Sequence, residues 1–168
     1  PLLPMLFVAS LSVIMNPLVK FKIGVTSMKI AYISDLHLDF YVQPWADWER
    51  KLLRFLEQLL PDEKADVLIV AGDLSHYNKQ SMFALRIFAE HFQQVFVVMG
   101  NHDYYLVSNN HASHYDKNSV KRETALQEMI NTIPNVHLLQ HYKVVSFQQV
   151  LFAGATNWYR LKTAEEQA

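Results

Sequence analysis

Three short runs of apolar residues mark the first strands of a predicted sheet. They read KIAYIS (29–34), DVLIVAG (66–72) and QVFVVMG (94–100). Each run is rich in β-branched or aromatic residues, too short for an ordinary helix, and apolar without alternation. Strands that are covered on both faces have this pattern, so we predict a buried sheet with these runs at its centre.

Two amphipathic segments lie between these runs. Large apolar residues recur at three- and four-residue spacing in WADWERKLLRFLEQLL (45–60), which predicts a helix that Pro61 ends. Its predicted inward residues are Trp45, Trp48, Leu52, Phe55, Leu56 and Leu59. The same period in SMFALRIFAEHF (81–92) predicts a second helix. Alternating strands and helices indicate an α/β fold with parallel neighbouring strands and right-handed crossovers.

The second half of the chain is predicted to add a loop, a helix and three strands. VSNNHASHYDKNS (107–119) is polar and predicts a loop, and a helix is predicted over about 119–131. The inward residues predicted for that helix are Ala125, Met129 and Ile130. The three short strands, partly antiparallel, are predicted in NVHLLQ (135–140), KVVSF (143–147) and VLFAGAT (150–156).

Residues 1–27 differ in composition from the rest, so we divide the chain into an apolar N-terminal extension (1–27) and a domain (28–168) that opens at Met28. Residues 2–19 carry no charge, but prolines and polar residues interrupt them, and no positive charge precedes them. The extension has three open interpretations: a non-native read-through, a membrane anchor, or a leader. We expect a cytoplasmic protein, or an anchored or exported one if residues 1–27 are native.

Composition excludes several kinds of site. The formal net charge is −1 and no long basic run occurs, so the sequence carries no nucleic-acid signature. The absence of cysteine excludes disulfides and thiolate metal sites. Eight histidines in 168 residues favour metal or proton chemistry. We nevertheless interpret His76, His91, His111, His114, His137 and His141 as ordinary surface or core residues.

Polar residues follow each of the three apolar runs, at the point where each strand is predicted to end. They are DLH (35–37), GD (72–73) and GNHD (100–103). The carboxyl ends of adjacent parallel strands meet at one edge of a sheet, so these side chains are predicted to converge there. Carboxylate, imidazole and amide groups are suitable ligands for divalent Mn, Fe or Zn.

In this order, DLH, GD and GNHD resemble the first three motifs of the calcineurin-like metallophosphoesterases. The resemblance covers about residues 28–158 and includes GATNWY (154–159). It implies a layered α/β/β/α sandwich with mixed sheets. It also implies a metal-dependent phosphoesterase that hydrolyses phosphomonoesters or phosphodiesters at a site with two divalent ions (Mn, Fe or Zn).

The same resemblance implies roles for individual residues. His102 would orient the phosphate and protonate the leaving oxygen, and Asp103 would support the loop from behind. The implied metal ligands are Asp35 and His37 for the first ion, Asp73 as a bridge, and Asn101 for the second ion. GDLSHYN (72–78) lacks the second aspartate and the arginine of the family's protein phosphatases, so a protein substrate is not expected.

The family pattern also contains later histidines, in a Gly-His motif and a Gly-His-x-His motif. No Gly-His dipeptide occurs here, and no histidine follows His141. We therefore expect an incomplete domain, truncated at its C-terminus and prone to aggregation through an uncovered sheet edge. A catalytically inactive remnant or a metal-binding fragment is the alternative function. A Rossmann-type nucleotide-binding module is disfavoured, because no Gly-x-Gly-x-x-Gly is present.

Overall fold

The structure is a computed structural model that describes residues 6–7, 18–23, 26–61 and 63–156. Within these ranges the strands form two sheets. The strands are β1 (Leu6–Phe7), β2 (Leu18–Ile23), β3 (Thr26–Ile33), β4 (Val67–Ala71), β5 (Gln94–Val98), β6 (Val136–Leu138), β7 (Lys143–Phe147) and β8 (Val150–Gly154).

The larger sheet has the strand order β2-β3-β4-β5-β6. Strands β3, β4, β5 and β6 are parallel to one another, and β2 is antiparallel to β3. The three apolar runs are therefore adjacent parallel strands, as their pattern predicted. In the smaller sheet, of order β1-β8-β7, β7 is antiparallel to β8 and β1 is parallel to it.

Along the sequence, the helices connect successive strands of the larger sheet. They are α1 (Leu38–Tyr41), α2 (Trp48–Leu59), α3 (Asn78–His91), α4 (Asn109–His114) and α5 (Ser119–Ile130), with a short 3-10 helix at His102–Tyr104. None of the helices in the described part of the chain is both long and apolar enough to cross a membrane.

Alternation along the central strands divides the core in two. Leu68 and Val70 of β4 belong to the cluster that includes buried residues of α2, α3 and α5. Val67 and Ile69 of the same strand belong to the cluster shared with the smaller sheet. The predicted α/β class is confirmed, and three layers of the four-layered sandwich (helices, larger sheet, smaller sheet) are formed by the described residues.

Two details of the predicted helices were wrong. Trp45 lies outside α2, which begins at Trp48, and its side chain is 65% exposed. Of the residues predicted to face inward on α5, Ile130 is buried and Met129 packs against the core, whereas Ala125 is only half-buried. The buried residues of α5 are Arg122, Leu126 and Ile130. Spacing of four residues puts these three on one side of the helix, and the charge of Arg122 hid the pattern.

The predicted loop at 107–119 contains the short helix α4. Ser108 caps it, since its hydroxyl accepts a hydrogen bond from the backbone N–H of His111 at 3.1 Å. An N-cap serine satisfies one of the free N–H groups at a helix start, which explains a helix in a polar segment.

The interpretations of residues 1–27 fall largely outside the described residues. The structure places Leu18–Ile23 in the larger sheet, where they pair with Thr26–Ala31 of β3. Part of the segment interpreted as an extension is thus hydrogen-bonded to the domain. The boundary at Met28 and the origin of the segment stay predictions.

Candidate metal centre

The loops that follow β3, β4 and β5 meet at the carboxyl edge of the larger sheet. The backbone N–H of Asp35 donates to the carbonyl of Gly72 at 3.1 Å, and that of His37 donates to the carbonyl of Asp73 at 2.9 Å. The backbone N–H of His102 donates to Asp73 Oδ1 at 2.8 Å. The convergence predicted from the strand ends is therefore present.

Three side chains of this edge can share one metal ion. Each of His37, Asp73 and His102 offers one ligand atom, and these atoms lie within 4.8 Å of one another. The rings of His37 and His102 meet edge to face, with centroids 4.5 Å apart. Two imidazoles and a carboxylate form a donor set suited to Zn, Fe or Mn.

His37 contains a buried polar atom that the protein leaves unsatisfied. Its Nδ1 atom is buried and has no hydrogen-bond partner within the described part of the chain. Buried polar atoms almost always have a partner, and an unpaired one calls for an explanation such as a bound ion. The residues present therefore fit a divalent metal.

The backbone of this edge is strained. Asp35, His37 and Asp73 have φ values of 54°, 41° and 53°, in the left-handed region that side chains other than glycine rarely adopt. Such strain persists only where surrounding contacts enforce it, and it concentrates at functional sites. Three of the ten positive-φ residues other than glycine in the described part of the chain lie in these two adjacent loops.

Asp103 joins the second loop to the third. Its carboxylate accepts hydrogen bonds from the backbone N–H groups of Asp73 (2.8 Å), Leu74 (3.2 Å) and Gly100 (2.9 Å). Burial raises the pKa of Asp103 to about 6, although the Gly100 hydrogen bond and the Arg122 charge act in the opposite direction. The carboxylate thus fixes the backbone on both sides of Asp73.

Two of the predicted metal ligands stand apart from the trio. Asp35 is exposed, and it does not belong to the group formed by His37, Asp73 and His102. The side-chain amide of Asn101 donates to the hydroxyl of Tyr105 at 2.9 Å. The ligand roles of Asp35 and Asn101 stay predictions. His102, which was predicted to be the proton donor, lies close enough to His37 and Asp73 to be a further candidate ligand.

Sequence reasoning missed two buried residues that connect to His102. His76 Nδ1 lies 2.7 Å from Asp39 Oδ2, and His76 Nε2 lies 3.0 Å from His102 Nδ1. Burial by itself would raise the pKa of Asp39, but the hydrogen bonds and charge of His76 outweigh it and the pKa is lowered. The available signals were the positions of His76, three residues after Asp73, and of Asp39, two residues after His37.

The pKa of His102 is lowered from its ordinary value. Burial is the main cause, and the neighbouring His37 and His76 act in the same direction, while Asp73 and Asp39 oppose it. A lowered pKa favours the neutral imidazole of His102 near pH 7. With Nδ1 hydrogen-bonded to His76, the Nε2 atom of His102 is left for the site.

Arg122 of α5 holds the loops from beneath. Its guanidinium donates to the carbonyl oxygens of Ser75 (2.8 Å), His102 (3.1 Å) and Tyr105 (3.1 Å). The side chain is fully buried, so these bonds satisfy donors that have no access to water. One residue thereby fixes the loop after β4 and the loop after β5.

An α/β sandwich with a histidine–carboxylate centre at the ends of its parallel strands has the features of a metal-dependent hydrolase. Residues 28–164 match the calcineurin-like phosphoesterase family. The chain belongs to this family, whose members are hydrolases that act on phosphate esters.

Two curated proteins are similar to parts of the chain. The DNA double-strand break repair protein Mre11 of Archaeoglobus fulgidus is 35% identical over 86 residues, which are 45% of this chain and 19% of that protein. A symmetrical bis(5'-nucleosyl)-tetraphosphatase of Thioalkalivibrio sulfidiphilus is 32% identical over 88 residues, 52% of this chain and 31% of that protein. The matched parts are less than a third of each relative's length.

A solved structure also resembles the chain. It is the phosphopantetheinyl hydrolase of Mycobacterium tuberculosis, with a TM-score of 0.48 and 24% sequence identity. The likeness covers 70% of this chain and 37% of that one.

Proposed function

We propose that this chain carries the metal centre of a phosphoesterase that hydrolyses phosphomonoesters or phosphodiesters. The observation that carries the proposal is the group of His37, Asp73 and His102, in which the Nδ1 atom of His37 has no hydrogen-bond partner among the described residues. Membership of the phosphoesterase family supplies the reaction class. An incomplete, catalytically inactive metal-binding unit is the alternative that the experiment must separate.

The proposed ligands divide between two ions. Asp35 and His37 would hold the first ion, Asp73 would bridge, and Asn101 would hold the second. Bound divalent ions would supply an activated water and neutralise charge on the phosphate oxygens. The strained loops bring His37 and Asp73 into position without help from the substrate, which keeps the site preorganised.

His102 is the proposed proton donor to the leaving oxygen. Its Nδ1 atom is hydrogen-bonded to His76, so the imidazolium form would release its Nε2 proton to the leaving oxygen and be left neutral with its hydrogen on Nδ1. A side chain that moves a proton in the transition state contributes about 10²- to 10⁴-fold to the rate. Asp103 fixes the backbone of Gly100, two residues before His102.

The test is metal content together with turnover. The full chain is loaded with Mn²⁺, desalted and analysed for metal per chain, and hydrolysis of p-nitrophenyl phosphate and bis-p-nitrophenyl phosphate is measured. Asp73→Asn removes the bridging carboxylate, and Asp116→Asn, an exposed aspartate paired with Lys121, is the matched control.

The outcomes separate the two functions. Bound metal and turnover that both disappear in Asp73→Asn and persist in Asp116→Asn support the phosphoesterase, and two ions per chain support the two-metal arrangement. Metal without turnover supports the inactive metal-binding unit. A wild-type chain that retains no metal contradicts both.

Exposed aromatic rings favour a nucleotide ester as the particular substrate. Phe40 is 62% exposed and stacks on His37 with centroids 5.2 Å apart. Tyr105 is 42% exposed, and its ring centroid lies 4.9 Å from that of His102. Flat apolar rings beside a phosphate site can stack on a nucleobase. The similarity to a bis(5'-nucleosyl)-tetraphosphatase agrees with this choice.

This preference is tested with paired substrates. Base–aromatic stacking is worth about 1–3 kcal/mol, so Phe40→Ala is expected to raise the KM for adenosine 5'-monophosphate about tenfold. Ribose 5-phosphate, which lacks the base, should be unaffected, and Phe40→Tyr should retain the wild-type KM. Equal effects on both substrates would contradict stacking.

A further inference from the structure

A chain of hydrogen bonds runs from a buried carboxylate to His102. Asp39 Oδ2 lies 2.7 Å from His76 Nδ1, and His76 Nε2 lies 3.0 Å from His102 Nδ1. The side chains of Asp39 and His76 are each 8% exposed, so water competes little for these bonds. Asp39 lies in α1, which follows β3, His76 lies in the loop after β4, and His102 begins the short 3-10 helix after β5.

Contacts fix the direction of this chain. Asp39 Oδ1 accepts the backbone N–H of His76 at 3.0 Å, which anchors the carboxylate. A carboxylate oxygen 2.7 Å from an imidazole nitrogen accepts a hydrogen bond from its N–H, so Nδ1 of neutral His76 carries hydrogen and Nε2 does not. His76 Nε2 then accepts a hydrogen bond, which among the described residues comes from His102 Nδ1–H.

We propose that Asp39 and His76 are positioning residues: through these two hydrogen bonds they hold the His102 ring with hydrogen on Nδ1 and aim Nε2 at the ester. The inference rests on the proposed function, because it assigns a purpose to the orientation of His102. It gives His102 a carboxylate partner through an intervening imidazole.

The packing around His76 supports a positioning role. The ring of Phe40 meets His76 at an angle of 63°, with centroids 5.6 Å apart, and Tyr105 lies nearly parallel to it at 6.3 Å. Rings on two sides restrict rotation of the imidazole. A histidine held by a carboxylate and by packing can orient a second ring within the narrow range that a reacting atom requires.

Asp39→Asn is expected to reverse the direction of both hydrogen bonds between residue 39, His76 and His102. The amide oxygen must replace Oδ1, since the backbone N–H of His76 needs an acceptor there. The amide NH₂ then replaces Oδ2 and donates to His76 Nδ1, so His76 carries its hydrogen on Nε2 and donates to His102 Nδ1. The neutral ring of His102 is left with its hydrogen on Nε2, the opposite tautomer.

The deciding measurement is the tautomer of His102 in full-length, metal-free protein. The ring ¹⁵N shifts of histidine-labelled protein are recorded at about pH 8.5, about two units above the ordinary pKa of an imidazole. His102 should carry hydrogen on Nδ1 in the wild type and on Nε2 in Asp39→Asn. Asp47→Asn, an exposed aspartate paired with Arg50, should keep the wild-type tautomer. Wild-type His102 with hydrogen on Nε2, the form that an isolated neutral imidazole prefers, would overturn the proposal.

A second variant guards against a fold defect in Asp39→Asn. Glutamine at position 76 can accept from His102 through Oε1 and donate to Asp39 through Nε2, so His76→Gln is expected to retain the Nδ1 tautomer. If His76→Gln and Asp39→Asn both change the tautomer alike, the bonds do not set it and the proposal fails.

Kinetics separate this inference from the proposed function. On p-nitrophenyl phosphate, Asp39→Asn should lower kcat at least about tenfold with KM and Mn²⁺ content retained, and His76→Gln should recover most of the kcat. Unchanged kcat with a reversed tautomer overturns the positioning role and leaves the phosphoesterase intact. A wild type without turnover refutes the proposed function, while the tautomer result still decides whether the hydrogen bonds direct His102.

Discussion

At the scale of single residues, Gly100 leaves no space for a side chain. A β-carbon at this position would lie 2.2 Å from Asp73 Oδ1 and 2.8 Å from the backbone nitrogen of Asp73. Gly100→Ala is therefore expected to displace the Asp73 carboxylate, to lower the free energy of unfolding by about 1–3 kcal/mol, and to abolish tight Mn²⁺ binding. Denaturant unfolding and metal content after desalting measure the two effects.

Gly154 provides the matched control for this prediction. A β-carbon there would lie 2.5 Å from a methyl group of Val98, in contact with apolar side chains and away from Asp73. Gly154→Ala should cost a similar free energy of unfolding yet retain Mn²⁺ binding. Metal binding that survives in Gly100→Ala would show that Asp73 can shift without loss of the site.

The residues of the site differ in how far the sequence reveals them. His37, Asp73 and His102 follow apolar runs, and the topology of parallel strands suffices to predict that they meet. Asp39 of α1 and His76 of the loop after β4 are paired by a tertiary hydrogen bond, which no local pattern encodes. The unpaired atom of His37 and the depth of His76 depend on side-chain directions that only the folded chain defines.

At the scale of elements, α5 supports the site through one buried side chain. Replacing Arg122 by methionine keeps much of the volume but leaves the carbonyl oxygens of Ser75, His102 and Tyr105 without their donor. We expect Arg122→Met to lower the free energy of unfolding by about 3 kcal/mol and to weaken Mn²⁺ binding, because the loops after β4 and β5 lose their common anchor.

Lys121 is the neighbouring control on the same helix. Its exposed ammonium pairs with Asp116 on the surface, so Lys121→Met should change the unfolding free energy by less than about 0.5 kcal/mol and leave metal binding unchanged. Denaturant unfolding of both variants and metal titration check the difference. Equal effects of the two substitutions would contradict the anchoring role assigned to Arg122.

Strands were more predictable than helix faces, and the reason is physical. The central strands are covered on both faces, so nearly all of their residues are apolar and the runs stand out. The inner face of α5 includes Arg122, whose charge is satisfied by carbonyl groups of distant loops. A buried charged residue such as Arg122 interrupts the apolar periodicity from which the orientation of the helix would be predicted.

At the scale of the whole molecule, the two sheets share a core that also contains a titratable group. Phe96 of β5 stacks on Phe152 of β8 at 4.1 Å, and on its own sheet it stacks on His137 of β6 at 5.4 Å. Burial lowers the pKa of His137, and the charge of Lys143 adds to the effect. The contact between the sheets is therefore expected to weaken on acidification.

The sign of this effect follows from proton linkage. An unfolded histidine titrates near pH 6.5, so as the pH falls through this value the unfolded chain binds more protons than the folded one. Stability from His137 is thus present above about pH 6.5 and is lost as the pH falls toward the lowered folded-state pKa. Asp103 acts in the opposite sense, since its pKa is raised to about 6 and its protonated form favours the folded state at low pH.

Comparison of the wild type with His137→Gln isolates the contribution of His137 to the pH dependence of the unfolding free energy. In the presence of a chelator, His137→Gln should lose less unfolding free energy than the wild type between pH 7.5 and 5.5, because it lacks the half-buried imidazole while Asp103 is unchanged. His114→Gln removes an exposed histidine of α4 and should follow the wild-type curve. Urea unfolding at a series of pH values measures the difference. Parallel curves for wild type and His137→Gln would show that protonation of His137 does not affect the stability of the shared core.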